Sequence, residues 1–269
     1  MSDEVPLGMR IALVGASGWL GRSIGPSILT GGVVAPGDLV CVSRSGRTAD
    51  YAKWPQLRWE TEVEKAVAVA DAVILSIRPQ HLEGGAFRCE GRLVVSLLAG
   101  VTCDEVSART GATRIIRAMP NAAVEIGRSY SPFFANKAAT QDDRRLTRAV
   151  LGAVGTSDEI ESEEAIDVIT ALSGTGPAYP ALLASALFDA ACEAGLSPDI
   201  AAKAVEATIC DASGLLRGRG NSADKVVESF IQYRGTTAEV LTAARSAGFD
   251  HAISRALQAG IEKARKPRE

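Results

Sequence analysis

Short, unbroken apolar runs alternate with longer stretches of mixed character up to about residue 160. The runs occupy residues 10–15, 39–43, 72–77, 93–98 and 114–118. Runs of this length, apolar on consecutive positions, predict strands buried on both faces of a parallel sheet. Between the first two, Trp19–Thr30 has helical character and stops at Gly31-Gly32. The repeated alternation predicts an α/β fold: a Rossmann-like, doubly wound sheet over residues 8–160.

From about residue 161 the strand signal vanishes, and residues 161–269 predict an all-helical domain. A helix capped near Ser162 is expected to run to Leu172, and a second over residues 179–194, ending at Gly195. Ser197-Pro198-Asp199 opens a third that runs to about Leu216: a cap, a proline at the first position, then an acid. Thr236-Thr237-Ala238-Glu239 fits a capping box. Asp250 is expected to cap a last helix whose end carries Lys263, Arg265 and Lys266, where cations suit the dipole. Residues 181–191 (ALLASALFDAA) are apolar around most of the helix circumference. Such a helix wants burial on every side, more than a hundred-residue helical domain supplies alone, so a homodimer is expected.

The 269 residues suffice for two domains, and a hydrophobic share of 46% suits a globular protein. Net charge is −3 with both signs dispersed, which gives no footprint for nucleic acid or an anionic membrane. No run is long enough to span a bilayer, and residues 1–8 lack a signal-peptide pattern, so a cytoplasmic protein is expected. Five cysteines, an odd number with no C-x-x-C pair, read as reduced. The only histidines, His81 and His251, have no partner at a metal-ligand spacing, so no metal is expected.

Three stretches carry candidate chemistry. Gly15-Ala16-Ser17-Gly18-Trp19-Leu20-Gly21 lies at the first strand-to-helix junction, where dinucleotide-binding sheets hold a pyrophosphate on helix-terminal N–H groups. The bare alternative is a tight turn that packs helix on strand. The second strand ends in Ser43-Arg44-Ser45-Gly46-Arg47. It offers hydroxyls and guanidiniums where NAD-preferring enzymes place a carboxylate, so NADPH is favoured over NADH. The alternative is that both arginines are solvated loop charges. Residues 171–179 (ALSGTGPAY) are small enough to let backbone approach a ligand closely, or to form an interhelix turn.

Together with Met119-Pro120-Asn121 and Gly235-Thr236-Thr237, these pieces in this order resemble the pyrroline-5-carboxylate reductase family, from about Met9 to Lys266. Ser76-Ile77-Arg78-Pro79-Gln80 resembles the family's Ala-Val-Lys-Pro-Gln, which borders the cofactor. Residues 97–102, with Ala99 and Gly100, resemble its Ala-Ala-Gly-Val-Thr near the nicotinamide. The resemblance implies hydride transfer from NADPH to the C=N carbon of a cyclic imine carboxylate, most simply 1-pyrroline-5-carboxylate going to L-proline. It also implies a homodimer with exchanged helices, or a higher oligomer of dimers. Gly235, Thr236 and Thr237 would bind the substrate, with Thr237 as hydrogen-bond partner or proton relay for the imine nitrogen. Ser173, Gly176 and Pro177 would form the opposite wall, with Ser173 as the second candidate catalytic hydroxyl and Asn121 as a substrate contact.

The chain departs from the family in places. Gln232-Tyr233-Arg234-Gly235 replaces its Ser-Pro-Gly-Gly, Ser17 stands for a glycine, and Ala122-Ala123 replaces Thr-Pro. No asparagine precedes the third strand, where the stretch reads Thr61-Glu62-Val63. These departures leave two other readings: reduction of another cyclic imine, such as pyrroline-2-carboxylate or a six-membered analogue, and a non-catalytic NADPH-binding regulator. A β-hydroxyacid-type dehydrogenase is disfavoured, because no lysine follows residues 173–179 until Lys203.

Overall fold

A computed structural model describes residues 8–83, 87–216 and 223–265. Lys266, expected in the last helix, lies outside them. The described chain divides into two compact units. One runs to Gly176 and takes in the chain end from Gly260; the other is Pro177–Ala259.

The first unit holds the strands β1 (Ile11–Val14), β2 (Leu39–Val42), β3 (Arg58–Glu60), β4 (Ala72–Leu75), β5 (Leu93–Ser96), β6 (Arg114–Ala118), β7 (Ser129–Tyr130), β8 (Phe133–Ala135) and β9 (Gly155–Thr156). Seven form one sheet in the order β3-β2-β1-β4-β5-β6-β8. β1 to β6 pair in parallel, and β8 closes the edge antiparallel to β6. This is a doubly wound order, with its reversal between β1 and β4. The apolar runs locate all five expected strands, but each of the first four ends one or two residues early. Their last residues turn out of the ladder into loops. β3, β7, β8 and β9 are two or three residues long, too short to leave a periodic signal.

Alternate side chains of the strands feed two cores. Ile11 and Leu13 pack with Ile24 and Ile28 of α1 (Trp19–Thr30). The same layer takes Leu146 and Val150 of a later helix, residues 141–152. Ala12 and Val14 pack on the other face with Ala66 and Val67 of α2 (Val63–Val67) and Leu82 of α3 (Pro79–Glu83). Val106 of α4 (Cys103–Thr110) joins them. The 141–152 helix is α5 (Gln141–Gly152). Both α4 and α5 open on complete capping boxes, from Thr102 and Thr140.

α6 (Ala165–Ile169) starts after Glu164, not at Ser162, and Glu164 makes no side-chain cap. It continues as a wider turn over Thr170–Gly174. There Thr170, Ser173 and Thr175 hydroxyls bond back to the carbonyls of Ile166, Ile169 and Ala171. Such back-bonding competes with the regular helical ladder.

The second unit contains α7 (Ala178–Glu193), α8 (Pro198–Glu206), α9 (Ala223–Gln232) and α10 (Thr236–Ser246), with the first turns of α11 (Phe249–Arg265). α8 runs on through looser turns to Leu216. Two expected caps are corrected. Gly235, not Thr236, sits at the N-cap of α10, so the capping box does not form. Asp250 lies inside the first turn of α11, facing Arg245 at 3.6 Å. Among the described residues, no helix is long and apolar enough to cross a membrane.

Candidate functional site

The glycine turn at the end of β1 is built by close packing. Gly15 and Ala16 donate their amides to the Val42 carbonyl, at 2.9 and 3.0 Å. Gly15 adopts φ +91°, and a Cβ there would run into the Ser76 carbonyl. A Cβ on Gly21 would run into the Gly15 carbonyl and the Ala16 backbone. Both glycines therefore let β1, α1 and the end of β4 approach one another. The buried Tyr51 hydroxyl braces the turn from behind, sharing its proton between the carbonyls of Gly21 (2.7 Å) and Ala16 (3.2 Å). Burial pushes the Tyr51 phenol well above its ordinary range. Its ring stands edge-on to Trp59, 5.1 Å between centroids.

A cleft of about 1200 Å³ opens in front of this turn, at the carboxyl ends of β1, β2 and β4. Ligands gather at such a reversal point in open α/β sheets. Of the expected cofactor residues, Gly15, Ser17, Gly18, Trp19, Leu20, Ser43, Arg44, Ser76, Ile77 and Arg78 line it. Ala16 is buried behind the turn, and Pro79, Ala99 and Gly100 are outside the lining, although Gln80 and Leu97 belong to it. Ser45, Thr61, Glu62, Glu64 and His81 also face the cleft. Ser45 lies in the quoted loop and Thr61-Glu62 in the stretch that stands where the family offers an asparagine, whereas Glu64 and His81 carried no signal.

The donors around the cleft suit a phosphorylated ligand. Ser17 Oγ lies 2.5 Å from Ser43 Oγ and 2.9 Å from Ser45 Oγ, and the last two are 3.1 Å apart. Ser76 Oγ is buried, with no hydrogen-bond partner among the described residues. α1 contributes the N–H groups of its first turn, with Gly18 as an N-cap that offers no side chain of its own. Arg44 Nη2 stands 3.3 Å from His81 Nε2. Arg47 is a correction: its guanidinium donates to the carbonyls of Pro55 (2.8 Å) and Leu57 (3.0 Å), and it does not line the cleft. Trp19 Nε1 donates to the Glu125 carboxylate.

A second assembly brings two sequence motifs together. Gly174 packs on Met119, and Gly176, at φ +58°, on Ala122. The small residues of that turn thus admit another loop of the protein. Asn121 is buried and spends its side-chain oxygen on the Ala123 amide, at 3.0 Å. Arg117, 2% exposed, pairs with Glu163 at 2.8 Å and faces Asp167 at 3.6 Å, tying β6 to the start of α6. Glu163 also accepts from the Cys103 amide, and burial pushes the Cys103 thiol up to about 12. Such a thiol is inert at neutral pH.

In the second unit, Pro177 precedes α7, and Gly235, Thr236 and Thr237 open α10 on exposed backbone. With glycine at the cap, no side chain occupies the first-turn amides. Arg234, just before it, holds φ +51°, unique among described non-glycine residues.

A family model described as pyrroline-5-carboxylate reductase dimerisation matches residues 163–267. A pyrroline-5-carboxylate reductase of Thermus thermophilus is 30% identical over 262 residues, which is 94% of this chain and 98% of the relative. The structure of a pyrroline-5-carboxylate reductase from Coxiella burnetii is 26% identical with a TM-score of 0.83, covering 95% of this chain and 97% of that one. A pyrroline carboxylate reductase from Plasmodium falciparum, solved with NADP bound, shares the fold at 20% identity and a TM-score of 0.80, covering 96% and 97%. The 30% identity to the Thermus thermophilus relative, over almost the whole of both chains, is more than a shared sheet topology produces: the chain belongs to the pyrroline-5-carboxylate reductase family.

Proposed function

We propose that this chain reduces 1-pyrroline-5-carboxylate to L-proline with NADPH, as the last step of proline biosynthesis. The observation that carries the reading is the cleft over the glycine turn, where three serine hydroxyls and Arg44 converge. NADPH, when bound, supplies the hydride that reduces the imine carbon. The first-turn amides of α1 would bind its pyrophosphate, and Ser43 and Arg44 would hold the 2′-phosphate end. Gly235, Thr236 and Thr237 hold the substrate carboxylate on the amides that open α10. The Thr237 hydroxyl would bond the imine nitrogen and relay to it a proton drawn from solvent; Ser173 is the second candidate hydroxyl. A cyclic imine is readily protonated, so this chemistry needs no buried acid–base pair.

The protein works as a homodimer through its helical part. We set the functional boundary near residue 160, because the matched dimerisation segment begins at residue 163. A cytoplasmic location agrees with five unpaired cysteines.

The deciding assay follows the absorbance of NADPH with pyrroline-5-carboxylate, for wild type and Thr237→Ala. Turnover by the wild type is expected, with a loss of ~10²-fold in kcat and little change in NADPH affinity in the variant. No oxidation of NADPH by any cyclic imine would leave only the regulator reading. One feature favours a second substrate: Tyr233 and Arg234 stand exposed just before Gly235. A guanidinium there suits a larger imine carboxylate, and a higher kcat/KM for pyrroline-2-carboxylate or a six-membered analogue would select that reading.

A further inference from the structure

Three hydroxyls gather where β2 and the glycine turn meet, yet hydroxyls do not choose between cofactors. Ser17, Ser43 and Ser45 can bond a ribose 2′-hydroxyl as well as a phosphate, because each hydroxyl both donates and accepts. Selection for a phosphate must come from positive charge. Arg47, the second guanidinium of this loop, is committed to the carbonyls of Pro55 and Leu57. Arg44 remains, and the group facing it is the imidazole of His81, delivered from α3 across the mouth of the cleft.

We propose that His81 is the second cation of the 2′-phosphate clamp, so that binding NADPH takes up a proton that binding NADH does not. The inference rests on the cofactor reading above. A guanidinium has only donors, so an imidazole 3.3 Å from it can bond it only as an acceptor, through an Nε2 that carries no hydrogen. Protonating it there would set two cations against each other. A phosphate dianion placed between them reverses the preference: both rings of donors then face acceptors, and the imidazolium gains a charge-assisted hydrogen bond. Occupancy of the phosphate position and protonation of His81 are therefore linked, each favouring the other. The other charged groups lining the cleft are Arg78 at the start of α3 and Glu62 and Glu64 at the start of α2. Glu62 already pairs with Lys65 at 2.8 Å, and Arg78 keeps its charge throughout the neutral range. Histidine is the side chain whose charge ordinarily changes between about pH 5 and 8.

The phosphate's own titration has the opposite sign. Its second ionisation lies near pH ~6, and binding to cations favours the dianion, which releases protons. Net uptake therefore reports the imidazole.

The test is calorimetric titration of the wild type with NADPH and with NADH, in two buffers of different ionisation enthalpy near pH ~7.5. His81→Gln and His81→Lys are titrated alongside. Expected are an excess proton uptake for NADPH over NADH in the wild type and its loss in both variants. The NADPH-to-NADH affinity ratio should rise about tenfold from pH ~8.5 to ~6.5 in the wild type and show no such rise in His81→Lys, whose charge is fixed. If NADPH binds the wild type no tighter than NADH at any pH, the cofactor reading fails and takes the inference with it. If NADPH is preferred but without excess proton uptake, or with the same excess in His81→Gln, the inference alone is overturned. The wild-type proton count needs no variant to fold.

Discussion

Tyr51 carries more of the cofactor turn than any residue the sequence points to. Its hydroxyl is the hydrogen-bond donor for two inward-facing carbonyls of the turn, those of Ala16 and Gly21. Tyr51→Phe keeps the ring against Trp59 but removes the donor; Gly21, inside α1, keeps its place in the helical ladder, so the Ala16 oxygen is the acceptor left unmet, and an unmet buried acceptor costs about 1–3 kcal/mol. We expect urea unfolding to show a loss in that range, together with weaker NADPH binding, because Gly15–Leu20 would no longer be held in one geometry. Unchanged stability would mean that water replaces the phenol. Glycine spacing made the turn itself legible, since Gly15 and Gly21 sit where a Cβ would meet backbone. Tyr51 left no such mark: it reaches the turn from a helical turn some thirty residues on, through a contact that no local pattern encodes. His81 was hidden for a related reason. Without a metal-ligand partner nearby, an isolated histidine carries no signal, and its meaning comes only from Arg44 on another loop.

At the scale of elements, strands were read well where they are long and apolar, and helices where sequence supplies both ends. β6 and α1 fall where the pattern put them, whereas β3, β7 and β9 are too short and too polar to register. Caps misled at α10. Thr236 has the right type for an N-cap and Glu239 the right spacing, but glycine at 235 takes the position and turns the threonines into the first helical residues. The loop that delivers them is strained. α9 ends at Gln232, and Arg234 then adopts φ +51°, a conformation that costs an L-residue roughly 1–2 kcal/mol and glycine little. The family's Ser-Pro-Gly-Gly offers glycine at the same place. Arg234→Gly should therefore stabilise the protein by roughly 0.5–1 kcal/mol, the relief of strain being partly offset by the looser unfolded chain. An upward shift in the urea midpoint is the expected reading. If stability instead falls, the guanidinium makes a contact worth more than the strain. If kcat/KM for the preferred imine drops while stability rises, strain at Arg234 is the cost of binding substrate there.

On the scale of the whole molecule, the two units differ in how well one chain can satisfy them. The sheet buries two continuous cores, one on each face, and needs nothing further. The helical unit does not close on itself. No residue of the 16-residue α7 is buried, and Leu182 (70% exposed), Ile200 (53%) and Val240 (62%) face outward with several other large apolar side chains. The sequence announced this through a helix apolar around most of its circumference, although it gave no hint of which leucines would stay uncovered. Scattered exposed leucines are ordinary; a helix with apolar groups around most of its circumference and none of them buried marks a surface meant for another chain. A second copy removes that surface from water, and each large side chain so covered contributes about 1.5–3 kcal/mol. The chain should sediment as a dimer or larger at micromolar concentration, and its Tm should rise with protein concentration, since the folded helical unit and the association are one equilibrium. Leu182→Arg places a charge on the covered face. It should shift the sedimenting species towards monomer and lower Tm at a fixed concentration, while leaving NADPH binding to the sheet unit measurable. A wild-type chain that stays a compact monomer at micromolar concentration, with a Tm independent of concentration, would show that these helices are stable uncovered and that the dimer assignment is wrong.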